Sequence, residues 1–373
     1  MHKSRVLIYR LGSLGDTVVA LPAFHLIAHA FPTAERWVLT DFHRDAKATP
    51  LEQVLSNTDL VQGYIHYPLH LRAPLRLVQL RKEIQHLHAD LLIYLAASRG
   101  AVKLFRDLMF FRWCGIHRFI GAPRTRDLRN PRALTDGTFE SEGSRLLRCL
   151  HQLGESSIEA AGAFDLELTP HERAAAKNAL AELPADIPIL AVSIGAKVDV
   201  KDWGDPHWST FLTRLRTHLP GWSLIFLGAP VERERSQQLL SLWSGPTKNL
   251  CGTLSVRISA AVLEHARAFV GHDSGPMHLA ASVGTPCVGI FSSRNLPGTW
   301  FPHGGHHRVI YNDVSCRGCE LDVCVSQGKR CILGISPDEV ITTLEDLLFR
   351  NDEAQETAGK LQTRRDARSR RGS

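Results

Sequence analysis

The sequence predicts an α/β protein: two Rossmann-like, doubly wound parallel-sheet domains facing each other across a cleft. Three observations predict it. Short apolar runs alternate with amphipathic stretches through the first half of the chain. The alternation fades around Pro170, Pro184 and Pro188 and then restarts. A chain of 373 residues, 44% of them hydrophobic, exceeds what one core accommodates, since single cores stop growing near roughly 250 to 300 residues.

In order, the first half reads as strand VLIYR, a helix over about 16–31, strand RWVLTD, a helix over about 74–88, strand DLLIYLAAS, a helix near 99–113, strand HRFIGAP, and a helix from about Glu140 to Leu153. The second half reads as strand IPILAVSIG, a helix after Pro206, strand WSLIFLG, a helix from about Pro230, and a helix over about Val256 to Ala266. It continues with strand RAFVGHDSG, a short helix PMHLAASVG, strand TPCVGIF, and a last helix from Ser336 to about Phe349. The domains are expected at 1–165 and 186–352, with 353–373 a basic tail. Such sheets bind ligands outside the carboxyl ends of their strands, so the cleft suits a two-substrate enzyme.

The net charge of +6 is unevenly spread. Residues 1–165 hold 21 Lys and Arg against 16 Asp and Glu, residues 166–359 hold 17 against 21, and residues 360–373 hold 6 against 1. A basic first half suits an anionic partner or is solvated surface. The tail KLQTRRDARSRRGS is nearly free of apolar residues and is expected to be disordered, either solvated or touching acidic lipid headgroups. No run of about 20 apolar residues reads as a membrane span, and the first apolar run breaks at Arg10, too soon for a secretory signal. A cytoplasmic location and no nucleic-acid partner are expected.

RLGSLGD follows the first strand. A dinucleotide fingerprint needs Gly-x-Gly-x-x-Gly, but this loop gives Gly12-x-x-Gly15-Asp16, and a carboxylate there would repel a diphosphate. NAD binding is therefore not expected, although Asp41 closes the second strand. Asp16 reads either as an N-cap accepting from the Val18 or Val19 N–H, or as a base at the floor of the cleft. The stretch HDSGPMHLAASVG is the better anion cradle: a polar turn leads into a helix with Pro276 in its first turn, leaving free N–H groups at the positive end of the dipole. Lys201 offers a compact positive charge for a phosphate, or is a surface lysine. Glu232 could accept from ribose hydroxyls, or be a carboxylate favoured by a helix dipole. His278 could reach sugar or phosphate, or be structural. No Asp-x-Asp pair occurs, which favours neutralising a diphosphate by a helix end and basic side chains rather than by a bound metal.

Cys114, Cys149, Cys251 and Cys287 stand singly in apolar surroundings and read as buried thiols. Cys316, Cys319, Cys324 and Cys331 lie within sixteen residues, which matches the ligand count of a structural zinc or iron site; a reduced or partly oxidised loop is the alternative. The cluster is expected to lie away from the chemistry.

Taken together, RLGSLGD with the following LPAF, KDW after a second-half strand, and HDSGPMHLAASVGTPCVGIF resemble the lipopolysaccharide heptosyltransferases of glycosyltransferase family 9, in order over nearly the whole chain. The resemblance implies the GT-B architecture, with the acceptor on the first domain and the nucleotide-sugar on the second. It implies an inverting transfer of heptose from ADP-heptose to the anionic lipopolysaccharide inner core, at the cytoplasmic surface of the inner membrane, with no cofactor needed. By the same resemblance Asp16 is the general base, its pKa raised near a poorly solvated diphosphate. Lys201 and the N–H groups after Ser274 stabilise the leaving diphosphate, Asp273, Ser274, Gly275 and His278 hold the donor, Glu232 holds the ribose, and Arg10 and Gly15 face or orient the acceptor. Another nucleotide-sugar or a protein acceptor is the alternative within the fold; a silent nucleotide-sugar binding module is the alternative outside catalysis.

Overall fold

Strand β1 (Arg5–Tyr9) shows how the chain builds layers: Val6 and Ile8 point into one apolar core, Leu7 and Tyr9 into another, all four buried. A strand buried on both sides needs helices on both sides. The computed structural model describes residues 4–42, 49–68, 74–97 and 99–350 and supplies them. The expected tail at 353–373 lies outside the described residues.

The first sheet contains β1, β2 (Glu35–Phe42), β3 (Gly63–Pro68), β4 (Leu91–Tyr94) and β5 (Phe119–Ile120), all parallel, in the order β3-β2-β1-β4-β5. The second contains β6 (Ile189–Ser193), β7 (Ser223–Phe226), β8 (Thr247–Asn249), β9 (Ala268–His272), β10 (Cys287–Phe291) and β11 (Arg308–Tyr311), also parallel, in the order β11-β10-β9-β6-β7-β8. The winding reverses between β1 and β4 in one sheet and between β6 and β9 in the other. Open α/β sheets bind ligands at such switch points. The loops after β1, β6 and β9 are thereby marked in advance.

The main helices are α1 (Leu14–Val19), α2 (Leu21–Ala30), α3 (Pro74–Leu87), α4 (Ala101–Trp113), α5 (Glu142–Cys149), α6 (Pro170–Leu180), α7 (Asp205–His218), α8 (Arg233–Leu240), α9 (Val256–Leu263), α10 (Gly275–Ser282) and α11 (337–350). The helix expected over 16–31 is two helices. Pro22 has no N–H to give to Val18, so the ladder breaks at Ala20, which closes α1 and opens α2. The expected helix from Pro230 begins as a 3₁₀ turn, Pro230–Glu232. Strands β3, β8 and β11, absent from the sequence reading, flank the sheets; β8 is only Thr-Lys-Asn and carries no apolar pattern. Among the described residues no helix is long and apolar enough to cross a membrane.

One apolar core runs continuously from β1 and α2 through α6 to α9, α10 and β6, so the two halves share packing. Their joint is pinned by Arg257 of α9, 2% exposed. All five of its guanidinium N–H groups are used: Nε and Nη2 reach Glu172 of α6 at 2.6 and 3.0 Å, and Nη1 and Nη2 reach the carbonyls of Val54, Leu166 and Glu167 at 2.8–2.9 Å. Glu172 also accepts the Thr169 N–H in a capping box at the start of α6. Burial would raise the Glu172 carboxyl, but Arg257 and the Thr169 bonds outweigh it and hold the group at about 2 against an ordinary 4.5.

Removing one partner of such a pair strands the other, which costs about 3–5 kcal/mol. Arg257→Met should lower the unfolding free energy obtained from urea titration at pH 7 by that amount. Because the folded pKa of Glu172 is depressed, its stabilisation is complete above pH 4.5 and is lost as pH falls toward 2. The wild type should show this acid-labile component in pH-dependent unfolding, and the variant should not.

Candidate active site

The loop after β1 is shaped by what it must accommodate. Gly12 has φ +134°, and a Cβ there would lie 2.5 Å from the Asp16 Cβ, so only glycine lets Asp16 fold back over the turn. The Asp41 carboxylate, at the end of β2, accepts the Gly12 N–H at 3.0 Å and so supports the loop. Ser13 is the N-cap of α1; its N–H and Oγ donate to Asp16 Oδ2 at 2.8 and 3.1 Å. Asp16 is thus the third residue of the helix, not its cap, and its side chain reaches back rather than forward to Val18 or Val19.

Arg10 lies beneath this loop with no exposed surface. Its guanidinium donates to the Leu95 carbonyl at 2.7 Å and to the Asp16 carbonyl. Burial lowers its pKa, opposed first by the nearby Asp16 carboxylate. Arg10 orients the loop; the expected direct contact with an acceptor is ruled out by its burial.

In the second half, His272 closes β9 and ties three segments together. The Trp203 N–H donates to its Nε2 at 3.1 Å, which leaves the proton on Nδ1 for the Gly195 carbonyl at 3.3 Å. Burial pushes His272 down to about 4 and keeps it neutral for that role. Trp203 is itself anchored by Nε1 to the Ile335 carbonyl. This bracing places the 3₁₀ turn Asp199–Lys201 against the end of β9. Lys201 Nζ meets Asp273 Oδ2 at 2.6 Å and the Asp273 carbonyl at 3.2 Å. Asn295 Nδ2 donates to the same carboxylate at 3.3 Å.

Ser274 is the N-cap of α10, and its Oγ is buried without a partner. His278, one turn on, has Nε2 3.9 Å from Asp273 Oδ1, and burial pushes it down to about 4 against the pull of that carboxylate. Glu232 takes the Ala229 N–H at 2.9 Å, and its carboxylate lies where a Cβ on Gly195 or Gly228 would collide with it. Those two glycines, unnoticed in the sequence, open the space Glu232 occupies.

The two halves meet through glycines. A Cβ on Gly15 would sit 3.1 Å from the His278 ring and 3.7 Å from the Gly275 Cα; one on Gly275 would sit 2.5 Å from Leu14 Cδ2. The first turns of α1 and α10 are therefore in close contact, and one cavity of about 1030 Å³ is lined by Gly15 and Asp16 from one side and by Lys201, Glu232, Asp273, Ser274, Gly275 and His278 from the other. That volume holds a nucleotide-sized ligand.

Arg294, Trp300, Glu320 and Asp322 also line it. The last two lie within the cysteine-rich loop, which corrects its expected distance from the site. Arg294 binds the loop through the Leu321 and Glu320 carbonyls and Asp322, and the Val200 N–H donates to the Asp322 carbonyl. No apolar periodicity in this loop could have shown that it returns to the cleft. Its cysteines are free thiols: Cys331 is buried in a short helix, while Cys316, Cys319 and Cys324 are partly exposed. Among the described residues no three metal-ligating side chains gather, so the expected zinc or iron site is not assembled. Cys114, Cys149, Cys251 and Cys287 are free and buried, as expected.

Residues 147–329 match the family model described as glycosyltransferase family 9 (heptosyltransferase). The chain is 26% identical over 378 residues to lipopolysaccharide heptosyltransferase 1 of Pseudomonas aeruginosa, covering 92% of this chain and 98% of that protein. It shares its fold with a family 9 glycosyltransferase from Veillonella parvula (TM-score 0.70, 19% identity, 94% and 99% of the two chains). The same holds for the ADP-heptose lipopolysaccharide heptosyltransferase II of Escherichia coli (TM-score 0.64, 18% identity, 93% and 99%). The two parallel-sheet domains are those of the GT-B fold.

The glycine contact makes a quantitative expectation. Gly275→Ala forces α1 and α10 apart and should cost about 1–3 kcal/mol, as overpacking does. Gly15→Ala, with its tightest contact at 3.1 Å to a ring edge, should cost less. Thermal melts of the two variants should rank in that order.

Proposed function

We propose that this chain, whose residues 147–329 match the glycosyltransferase family 9 (heptosyltransferase) model, is an inverting enzyme moving heptose from ADP-heptose to the lipopolysaccharide inner core, at the cytoplasmic face of the inner membrane. The observation that supports this most is the placement of Asp16 on one wall of a single cavity, with Lys201 and the first turn of α10 on the opposite wall. A base on one side and a cationic, N–H-rich surface on the other is what a single displacement requires.

In this reading Asp16 takes the proton from an acceptor hydroxyl as that oxygen attacks the anomeric carbon. The bond from that carbon to the diphosphate oxygen breaks on the far side, ADP leaves with the electron pair, and the anomeric configuration inverts. Ser13 holds Asp16 through Oδ2, which fixes the carboxylate before substrate arrives. Lys201, the N–H groups at the start of α10 and the buried Ser274 hydroxyl stabilise charge on the departing diphosphate. Glu232 accepts from the ribose, while Asp273 and His278 bind heptose hydroxyls. His278, held neutral at physiological pH by burial, both donates and accepts. Lysine and a helix end supply the positive charge, and the sequence has no Asp-x-Asp pair, so the transfer is proposed to proceed without a divalent metal.

The donor is tested by thermal stabilisation with ADP, ADP-heptose, UDP, GDP, CMP and NAD. A ligand at 100 times its Kd stabilises by about 2.7 kcal/mol. ADP and ADP-heptose should raise the Tm and the others should not; a response to UDP or GDP instead would assign another sugar donor. Asp16→Ala should lower kcat by about 10²–10⁴-fold while leaving the ADP response intact, and transfer should persist in excess EDTA. Full activity in Asp16→Ala would remove Asp16 as the base.

A further inference from the structure

Among the described residues, the outer surface of the first domain carries apolar side chains that stay exposed. Helix α4 packs Leu104, Leu108 and Phe111 on the sheet and turns Val102, Phe105, Met109 and Trp113 outward in one stripe, with Val102 84% and Phe105 67% exposed. Helix α3 lies beside it and exposes Leu75 (83%) and Val78. Arg81 of α3 sits 4.6 Å over the Trp113 ring and donates to the Trp113 carbonyl at 2.9 Å, so the two helices present one surface.

The charge on this surface is one-sided. Lys103, Arg106 and Arg112 are exposed on α4, whose one acid, Asp107, is buried and bonded to Arg99 and Arg106. Helix α3 adds exposed Arg76 and Lys82 against Glu83. A symmetric dimer through this face would set these cations against their own copies. Apolar side chains among arginines and lysines, with a tryptophan at the border, are instead the composition that lies in a bilayer interface. Both helices leave the carboxyl ends of their strands, β3 and β4, the same sheet edge at which β1 delivers Gly12–Asp16. Leu75 and Val102, near the starts of these helices, therefore lie on the side of the sheet from which the loop Gly12–Asp16 also emerges.

We propose that the exposed face of α3 and α4 docks on an anionic lipid bilayer and brings the Asp16 side of the cleft to a membrane-borne acceptor. The second part rests on the transfer reading given above; the docking itself does not, and it is measured without donor or acceptor.

The test is cosedimentation of the full chain with phosphatidylcholine vesicles, with and without about 30% phosphatidylglycerol. The wild type should bind the anionic vesicles. V102D/F105D should bind at least about tenfold more weakly, since each apolar side chain withheld from the interface carries that order of effect. K103Q/R112Q should lose about fivefold per charge on anionic vesicles only. All these positions are exposed, so melting temperatures should match the wild type. Equal binding by wild type and V102D/F105D would place the contact elsewhere and overturn the proposal, as would no vesicle binding at all. A wild-type dimer that dissociates in V102D/F105D would assign the face to a second copy instead. If vesicle binding behaves as expected but no transfer is found, the docking surface stands and the transfer reading falls.

Discussion

The arrangement depends on how closely two helix starts approach. The first turns of α1 and α10 come from different sheets and pack with Gly15 and Gly275 between them. A Cβ at Gly275 would lie 2.5 Å from Leu14 Cδ2 and one at Gly15 3.1 Å from the His278 ring, so a side chain at either position crowds this approach. Their contact is what sets Asp16 and the Lys201–Asp273 pair in a shared cavity rather than on two surfaces. The N-terminal ends of both helices point positive dipole ends into that space. The carboxylates of Asp16 and Asp273 meet this field, and a diphosphate is the kind of ligand it attracts.

Around that contact, the functional groups are held by residues that do no chemistry. Arg10 and Asp41 support the first loop from below, each through a backbone group of the loop. His272, neutral and buried, joins three segments so that Lys201 reaches the end of β9. The cysteine-rich loop adds a further wall: it is bound by Arg294 and by the backbone of the Lys201 turn, so its position and that of the lysine are mechanically joined. Rigid support of this kind lets short loops carry placed side chains.

Much of this was legible in the residues. The alternation of buried runs and amphipathic helices specified parallel sheets because the inner strands β1, β4, β6, β9 and β10 are covered on both faces. Asp16, Lys201, Glu232, Asp273, Ser274, Gly275 and His278 were marked by their positions at strand ends, and all line the one cavity. What stayed hidden depends on long-range approach. Gly195 matters because of Glu232, which lies in a different turn, while Gly228 makes room for it from within the same turn. Arg10 looked available for a substrate because burial of a loop's underside leaves no periodic trace. The short strand Thr247–Asn249 is held by its neighbours rather than by its own pattern, and the cysteine spacing suggested a ligand set that the backbone does not bring together.

The Arg257 joint has a consequence for how the molecule could be recombined. Three of its five bonds end on backbone carbonyls, which are the same whatever side chains surround them. Across the seam between halves, side-chain identity is therefore demanded chiefly of the Arg257–Glu172 pair and of the glycines at 15 and 275. A chimera that joins the first half of one such chain to the second half of another must keep these matches as well as the apolar core that both halves share.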